Sequence, residues 1–355
     1  MNMVSGMKKV LFSFLSGLAV LIFSGCGHTP VRKNSLMALP PLKTDAKVAA
    51  QRAENFKKII RGTAIRGIVV YPASFIGRME NKTVLDTITV YGFNRIYCHL
   101  TSEQELNKDL LDFITLAAER KLPVELVFSQ QDFYRRYRGN RLIRNFFVQY
   151  PDLYEAVLET VEFSRDLPEN VKISGITVVL TPHLFNSNNT QRIQGQLYSW
   201  DEKNYGIGQD NDILMQQSLQ YARKIAAIPG LPELTIAIPD FFHEAAMEKK
   251  LSCGTAADFS AIASRLAVIN SANLPSRIPA AIDNELRSMP SGKKLLAVVK
   301  LAGHTSLNEG VLRRRNWRDF QNSINYVIKK LSPLPGFGGI IVSPLAVVEY
   351  LRQEK

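Results

Sequence analysis

Cysteine is scarce in this sequence, which has 3 among 355 residues. That number is too small for a disulfide framework, and no cysteine or histidine spacing typical of a zinc site occurs. Cys98 lies in an apolar run typical of a buried strand, and a bridge to Cys253 is left open as an alternative. We therefore predict no metal site.

The sequence also lacks long apolar runs and glycine-rich loops. Its apolar stretch from Val10 to Phe23 is shorter than the roughly 20 residues that a transmembrane helix needs. No glycine-rich phosphate loop follows the first predicted strand, where the chain reads Tyr71-Pro72-Ala73-Ser74-Phe75. A nucleophile elbow is also missing. These absences predict no nucleotide cofactor and no esterase of the usual kind.

The N-terminus has the features of an export signal. Lys8 and Lys9 precede the apolar stretch, which ends in Phe23-Ser24-Gly25-Cys26. These four residues resemble the lipobox of bacterial lipoproteins. The resemblance implies cleavage before Cys26 and lipid on its sulfur, which anchors the chain because each buried methylene contributes about 0.8 kcal/mol. A plain secreted protein or an uncleaved anchor helix is the alternative.

The same resemblance predicts where the protein resides and how it is divided. Gly27 stands where an aspartate would retain a lipoprotein at the inner membrane, so the outer membrane is expected in a Gram-negative host. Residues 1–25 are the predicted signal peptide, residues 26–47 the lipidated cysteine with a proline-bearing tether, and residues 48–355 one folded domain. The net charge of +12 does not predict nucleic acid as a partner of an envelope protein, and no protein partner can be named.

Short runs rich in valine, isoleucine and leucine alternate with amphipathic stretches along the body. This alternation predicts βα units and a parallel sheet. Eight units match an α/β fold of the (β/α)8 barrel type, with a doubly wound open sheet as the alternative. The predicted strands are Gly67–Tyr71, Arg95–Leu100, Val124–Phe128, Gly175–Leu180, Leu234–Ile238, Leu266–Asn270, Leu295–Leu301 and Gly338–Val342. The predicted helices are Leu106–Arg120, Leu153–Arg165, Ile213–Ala227, Trp317–Leu331 and Leu345–Leu351.

Three loops after predicted strands, at about 129–149, 181–211 and 302–316, are longer than such connections usually are. The first and third are rich in arginine and include Arg135, whose guanidinium suits carboxylate, sulfate or phosphate groups. The middle loop carries Tyr198 and Trp200, whose rings can stack on sugars. The alternative is that these arginines bind no ligand and are solvent-exposed or contact lipid headgroups.

Polar residues near the predicted strand ends form a candidate pocket. Asp240 and Glu244 are four residues apart, so a short helix would place both carboxylates on one side, where their repulsion could raise one pKa. An N-cap role for Asp240 and a first-turn role for Glu244 are the structural alternatives. The remaining candidates are Asp132, His183, His243 and Lys300.

Two segments resemble glycoside-hydrolase-like barrels of bacterial envelopes. Residues 171–182 are similar to the fourth strand of that class, and residues 335–342 to its glycine-rich last strand. The chain departs from the pattern because Val179, Leu180 and Thr181 stand where those enzymes carry acids. The resemblance implies a lipid-anchored barrel that acts on or binds a glycan, with an anionic glycan favoured by the arginines.

Two main versions of this hypothesis remain open. In an enzyme, Asp240 or Glu244 would be the acid/base and Asp132 the second carboxylate, with Tyr198, Trp200 and Arg135 as sugar contacts. In the alternative, a non-catalytic barrel binds a glycan or a protein partner in an envelope assembly. A lyase or esterase on the same barrel is a third option without a supporting motif.

Overall fold

A computed structural model describes residues 44–71, 81–100, 106, 108–130, 153–185, 190–270, 277–301, 316–345 and 348. Eight parallel strands close into a barrel, and each pairs with its neighbours in chain order. The predicted (β/α)8 barrel is thereby confirmed. The barrel strands are β1 (Ile65–Val70), β2 (Arg95–Leu100), β3 (Val124–Ser129), β4 (Gly175–Val179), β7 (Glu233–Pro239), β8 (Arg265–Ile269), β9 (Lys294–Lys300) and β10 (Phe337–Ser343); a small antiparallel hairpin, β5 (Gln191–Ile193) and β6 (Gln196–Tyr198), follows β4.

Helices surround the barrel, and two of them, Leu153–Arg165 and Trp317–Leu331, have the predicted bounds. Two more predicted helices are present with shifted ends, as Lys108–Glu119 and Asp210–Ala226, and the predicted helix Leu345–Leu351 lies largely outside the described residues. The helices are α1 (Ala46–Ile60), α2 (Asn81–Tyr91), α3 (Lys108–Glu119), α4 (Leu153–Arg165), α5 (Asp210–Ala226), α6 (Phe241–Met247), α7 (Ala256–Ile262), α8 (Ile278–Arg287) and α9 (Trp317–Leu331).

Helix α1 starts at Ala46, where the Asp45 carboxylate accepts a hydrogen bond from the Lys47 backbone N–H. The helical structure therefore begins two residues before the predicted domain start at residue 48. The Phe56 ring of α1 lies 5.2 Å from the Phe320 ring of α9 and 5.9 Å from the Tyr91 ring of α2. Such aromatic contacts fasten α1 to the outer helical layer. The remaining domain boundaries stay predictions.

The lower end of the barrel interior, formed by the amino ends of the strands, holds a buried ion cluster. Glu125 of β3 is fully buried. Its Oε1 lies 2.6 Å from a guanidinium nitrogen of Arg95 and 2.7 Å from one of Arg265. The hydroxyls of Thr177 and Thr235 donate to Oε2 at 2.9 and 3.3 Å. Side chains from four other strands thus satisfy the carboxylate of Glu125, as a buried charge requires.

Above the ion cluster, the inward residues of the strands are apolar. Inward and outward side chains alternate along each strand, and the outward ones pack beneath the helices. The inward ones form a separate cluster. Its buried members are Tyr97, Val127, Ala237, Ala267, Leu296, Val298 and Ile341, and the partly buried Val69, Val179 and Ile269 pack against them.

Cys98 is buried on β2 and Cys253 is half-buried, and both are free thiols in the structure. The bridge that the sequence left open is therefore absent between them. Among the residues that the structure describes, none of the helices combines the length and apolar character that a membrane span requires.

Candidate functional site

A cavity of about 450 Å³ opens among the carboxyl ends of the barrel strands, an end that we call the mouth. Its deeper walls are mainly the apolar inward residues described above, together with Thr177. Around them lie polar residues, which we call the rim, interspersed with the apolar Leu184, Pro239 and Phe241. The rim consists of Tyr71, His99, Ser129, Thr181, His183, Asn270, Lys300 and Ser343.

Three rim residues carry groups that can bind an anion, and the barrel register explains their placement. Lys300 is the last residue of β9 and pairs in register with Ser343 of β10. His99 occupies an inward position of β2, and its ring lies 4.9 Å from the Tyr71 ring. His183 stands in a 3-10 turn that follows β4. The parallel strands thus bring three sequence-distant basic side chains around one cavity.

Thr181 connects the rim to the helices outside the barrel. Its backbone N–H donates to the Gln130 side chain at 3.0 Å, and the Gln130 amide donates to Ser218 of α5 at 3.4 Å. The Thr181 side chain lines the cavity, and its hydroxyl has no hydrogen-bond partner among the described residues. Since an unsatisfied buried hydroxyl costs roughly 1–3 kcal/mol, a ligand that bonds to it gains from that contact.

The predicted sugar contacts of the middle loop differ in their exposure. Trp200 is only 5% exposed, and its ring packs 5.6 Å from Tyr205 and 5.8 Å from Phe242. The Trp200 ring lies 6.5 Å from His183, so it forms a wall behind a rim residue and not an open stacking platform. Tyr198 sits in the hairpin, where its hydroxyl donates to Gln196 at 2.7 Å.

The predicted carboxylates Asp240 and Glu244 are not among the described residues that line the cavity. Asp240 is buried directly before α6 and makes no side-chain cap hydrogen bond, whereas Glu244 is exposed. The negative charges of Asp240 and Glu244 both affect the carboxyl of Glu285 on α8, a residue that is 1% exposed. Burial, together with the charges of Asp240 and Glu244, raises the pKa of Glu285 to about 8. The carboxyl with the raised pKa is thus a residue that the sequence did not single out.

His243 lies in α6 and is 3% exposed. Its Nδ1 accepts a hydrogen bond of 3.1 Å from the Ala256 backbone N–H, which belongs to the first turn of α7. Burial lowers the pKa of His243. The neutral imidazole therefore joins α6 to α7 through one of its two nitrogens.

Asp132, Arg135, Cys26 and the other arginines of the first and third long loops lie outside the described residues. Sequence reasoning missed five rim residues, Tyr71, His99, Ser129, Asn270 and Ser343. Tyr71 and His99 could have been found from strand alternation, since His99 is the last inward position of β2 and Tyr71, directly after β1, continues the inward positions of that strand. Within the described ranges, no group of three or more histidine, cysteine, aspartate or glutamate side chains is arranged to hold a metal ion.

No family model matches the chain, and neither does any curated protein. Among solved structures, a chitinase from Chromobacterium violaceum is 14% identical, with 82% of this chain and 98% of that chain covered and a TM-score of 0.46. The spore cortex-lytic enzyme of Bacillus cereus is 10% identical. The alignment covers 82% of this chain and 73% of that enzyme, with a TM-score of 0.48. A thermostable mutant of a xylanase from Cellvibrio japonicus is 12% identical. The alignment covers 81% of this chain and 87% of the xylanase, with a TM-score of 0.44. The assignment of this chain to the (β/α)8 barrels rests on its own strand order.

Proposed function

We propose that this protein binds an acidic glycan at the mouth of its barrel. The observation that carries the proposal is the convergence of Lys300, His99 and His183 on one cavity. Hydrogen bonds from charged donors to a carboxylate or sulfate are about twice as strong as neutral ones. Hydroxyl and amide groups of Thr181 and Asn270 on the same rim suit sugar hydroxyls.

The glycan part of the proposal comes from the sequence resemblance at residues 171–182 and 335–342. Glycoside hydrolysis would need two carboxyls, about 5 to 5.5 Å apart for retention or about 6.5 to 9.5 Å apart for inversion. The described cavity lining contains no aspartate or glutamate. Binding is therefore the function that the described site supports best, and turnover is an outcome of the experiment below.

We further propose that the protein works at a bacterial envelope membrane. The support is the signal-like N-terminus and the lipobox-like Phe23–Cys26 segment. A tether of about twenty residues between lipid and barrel would let the mouth reach glycans near the membrane surface.

Calorimetric titration of the full chain in lipid nanodiscs tests the binding proposal. The probes are an oligosaccharide containing glucuronic acid and its neutral glucose counterpart. We expect the acidic probe to bind more tightly, and Lys300→Met to weaken its binding by roughly ten- to a hundredfold because a charged hydrogen bond is worth about 1.5–3 kcal/mol. Lys58→Met, an exposed site on α1, is the matched control.

Equal binding of the two probes, or an unchanged affinity in Lys300→Met, would refute the acidic-glycan proposal. Release of new reducing ends from the acidic probe during incubation would show turnover. In that case Asp132→Asn and Asp240→Asn identify the carboxyl that contributes to it.

A further inference from the structure

The cavity has an apolar floor, whose chemistry the acidic-glycan proposal does not explain. Val69, Val179 and Ile269 face the barrel interior, line the cavity and are still partly exposed. Exposed apolar surface in a concave site is typical of a place that receives an apolar group. We call these residues, with Ala237 and Ala267, the pit.

The pit exists because small side chains stand where a barrel interior is usually filled. Bulky branched residues dominate the interior layers of (β/α)8 barrels. Here Ala237 of β7 and Ala267 of β8 are direct partners in register, and both line the cavity. On the opposite side the Tyr97 ring lies over Gly67, since a Cβ built on Gly67 would be 2.4 Å from a Tyr97 ring carbon. The two alanines therefore leave room in the cavity that larger residues at these positions would fill.

The basic groups of this cavity lie toward its mouth, and much of its apolar lining lies deeper. Lys300 and Ser343 end their strands, and the apolar Val298 and Ile341 lie one inward position deeper on the same strands. Val69 and Val179 of the pit likewise precede the rim residues Tyr71 and Thr181 by one inward position. A volume of about 450 Å³ lies within the usual range for small-molecule sites. The site is thus shaped for a ligand whose polar and apolar parts are distinct.

We propose that the glycan bound at the mouth carries an acyl or alkyl substituent, which enters the pit while the anionic sugar remains at the rim. This inference rests on the proposed function and specifies its ligand class as an amphiphilic acidic saccharide. Burial of the substituent contributes affinity in proportion to the apolar area removed from water.

Three probes separate the contribution of the sugar carboxylate from that of the alkyl group. They are methyl glucuronide, octyl glucuronide and octyl glucoside. Each is titrated calorimetrically below its critical micelle concentration into the full chain in nanodiscs, with empty nanodiscs as the blank. We expect octyl glucuronide to bind at least tenfold more tightly than methyl glucuronide. Octyl glucoside should bind at least tenfold more weakly than octyl glucuronide.

Two variants test whether the octyl group of the probe binds in the pit. Val179→Thr adds a hydroxyl with nearly unchanged shape, and Ala237→Leu fills the empty volume. We expect each to reduce the octyl-to-methyl affinity ratio severalfold, whereas Val90→Thr, an exposed site on α2, keeps the ratio of the unmodified protein. Circular dichroism confirms that each variant is folded.

The failures of the two proposals are distinguishable. An octyl-to-methyl ratio near one, or a ratio that both pit variants leave unchanged, overturns the pit inference while the acidic-glycan proposal stands. Equal binding of octyl glucoside and octyl glucuronide overturns the acidic-glycan proposal and leaves the pit as a site for an alkyl group.

Discussion

Glu285 gives the sharpest prediction about stability, through the substitution Glu285→Gln. Its side chain is almost fully buried on α8, and its Oε2 has no hydrogen-bond partner in the described part of the chain. Burial and the neighbouring charges of Asp240 and Glu244 raise the pKa of Glu285 from 4.5 to about 8. Glutamine keeps the size of the side chain and removes its titration.

The size of the stability change caused by Glu285 follows from the difference in proton binding between the folded and unfolded states. Between about pH 4.5 and 8, the unfolded chain has lost this proton while the folded protein still holds it. The folded state thus binds more protons, so its stability falls as pH rises through this window and the loss is complete above about pH 8. At 1.36 kcal/mol per pK unit, the raised pKa corresponds to about 4 to 5 kcal/mol.

Urea denaturation followed by circular dichroism at pH 5 and pH 8.5 measures this effect. We expect the two proteins to differ little in free energy of unfolding at pH 5, and Glu285→Gln to be more stable by several kcal/mol at pH 8.5. Glu159→Gln, at an exposed position of α4, should follow the unmodified protein. If Glu285→Gln changes stability equally at both pH values, the argument from a buried protonated carboxyl is refuted.

Two further predictions concern the ion cluster and the anchor. Glu125→Gln leaves the buried Arg265 and the partly exposed Arg95 with Glu233 as their acidic partner among the described residues, so we expect a loss of about 3 kcal/mol in urea denaturation; a loss below about 1 kcal/mol would contradict the ion-cluster interpretation. Cys26→Ala should abolish incorporation of an alkyne-labelled fatty acid and release the protein from the membrane fraction, whereas Cys253→Ala should do neither. Labelling that survives in Cys26→Ala would exclude this cysteine as the lipidation site.

Local sequence patterns were sufficient for most of the barrel. The run Arg95–Leu100 was predicted with its observed bounds, because a strand enclosed on both faces is mostly apolar whatever its neighbours are. The helix α9 was also predicted with its bounds, since its apolar residues recur at helical spacing. No helix was predicted at α1, α2, α7 or α8, and a short helix near Asp240 was only considered. The seven residues of α6 and of α7 span only two turns and show little periodicity.

The candidate site was only partly predictable. Lys300 and His183 were nominated from their positions near strand ends, and both line the cavity. Strand ends are visible in sequence, so this part of the reasoning needed no tertiary information. Trp200 was nominated for its residue type, but the packing of Phe242 and Tyr205 around it decides that its ring is buried.

The sequence by itself determined the order of strands and helices, because that order depends on local apolar patterning. It also determined at which end of the barrel the long loops lie, because chain connectivity places every loop after a strand at the same end. Only the tertiary structure decided which polar groups meet. The raised pKa of Glu285 depends on α8 packing beside α6, and the pit depends on Ala237 meeting Ala267 across two strands. Distances between sequence-distant side chains are fixed by register and packing, which no local pattern encodes.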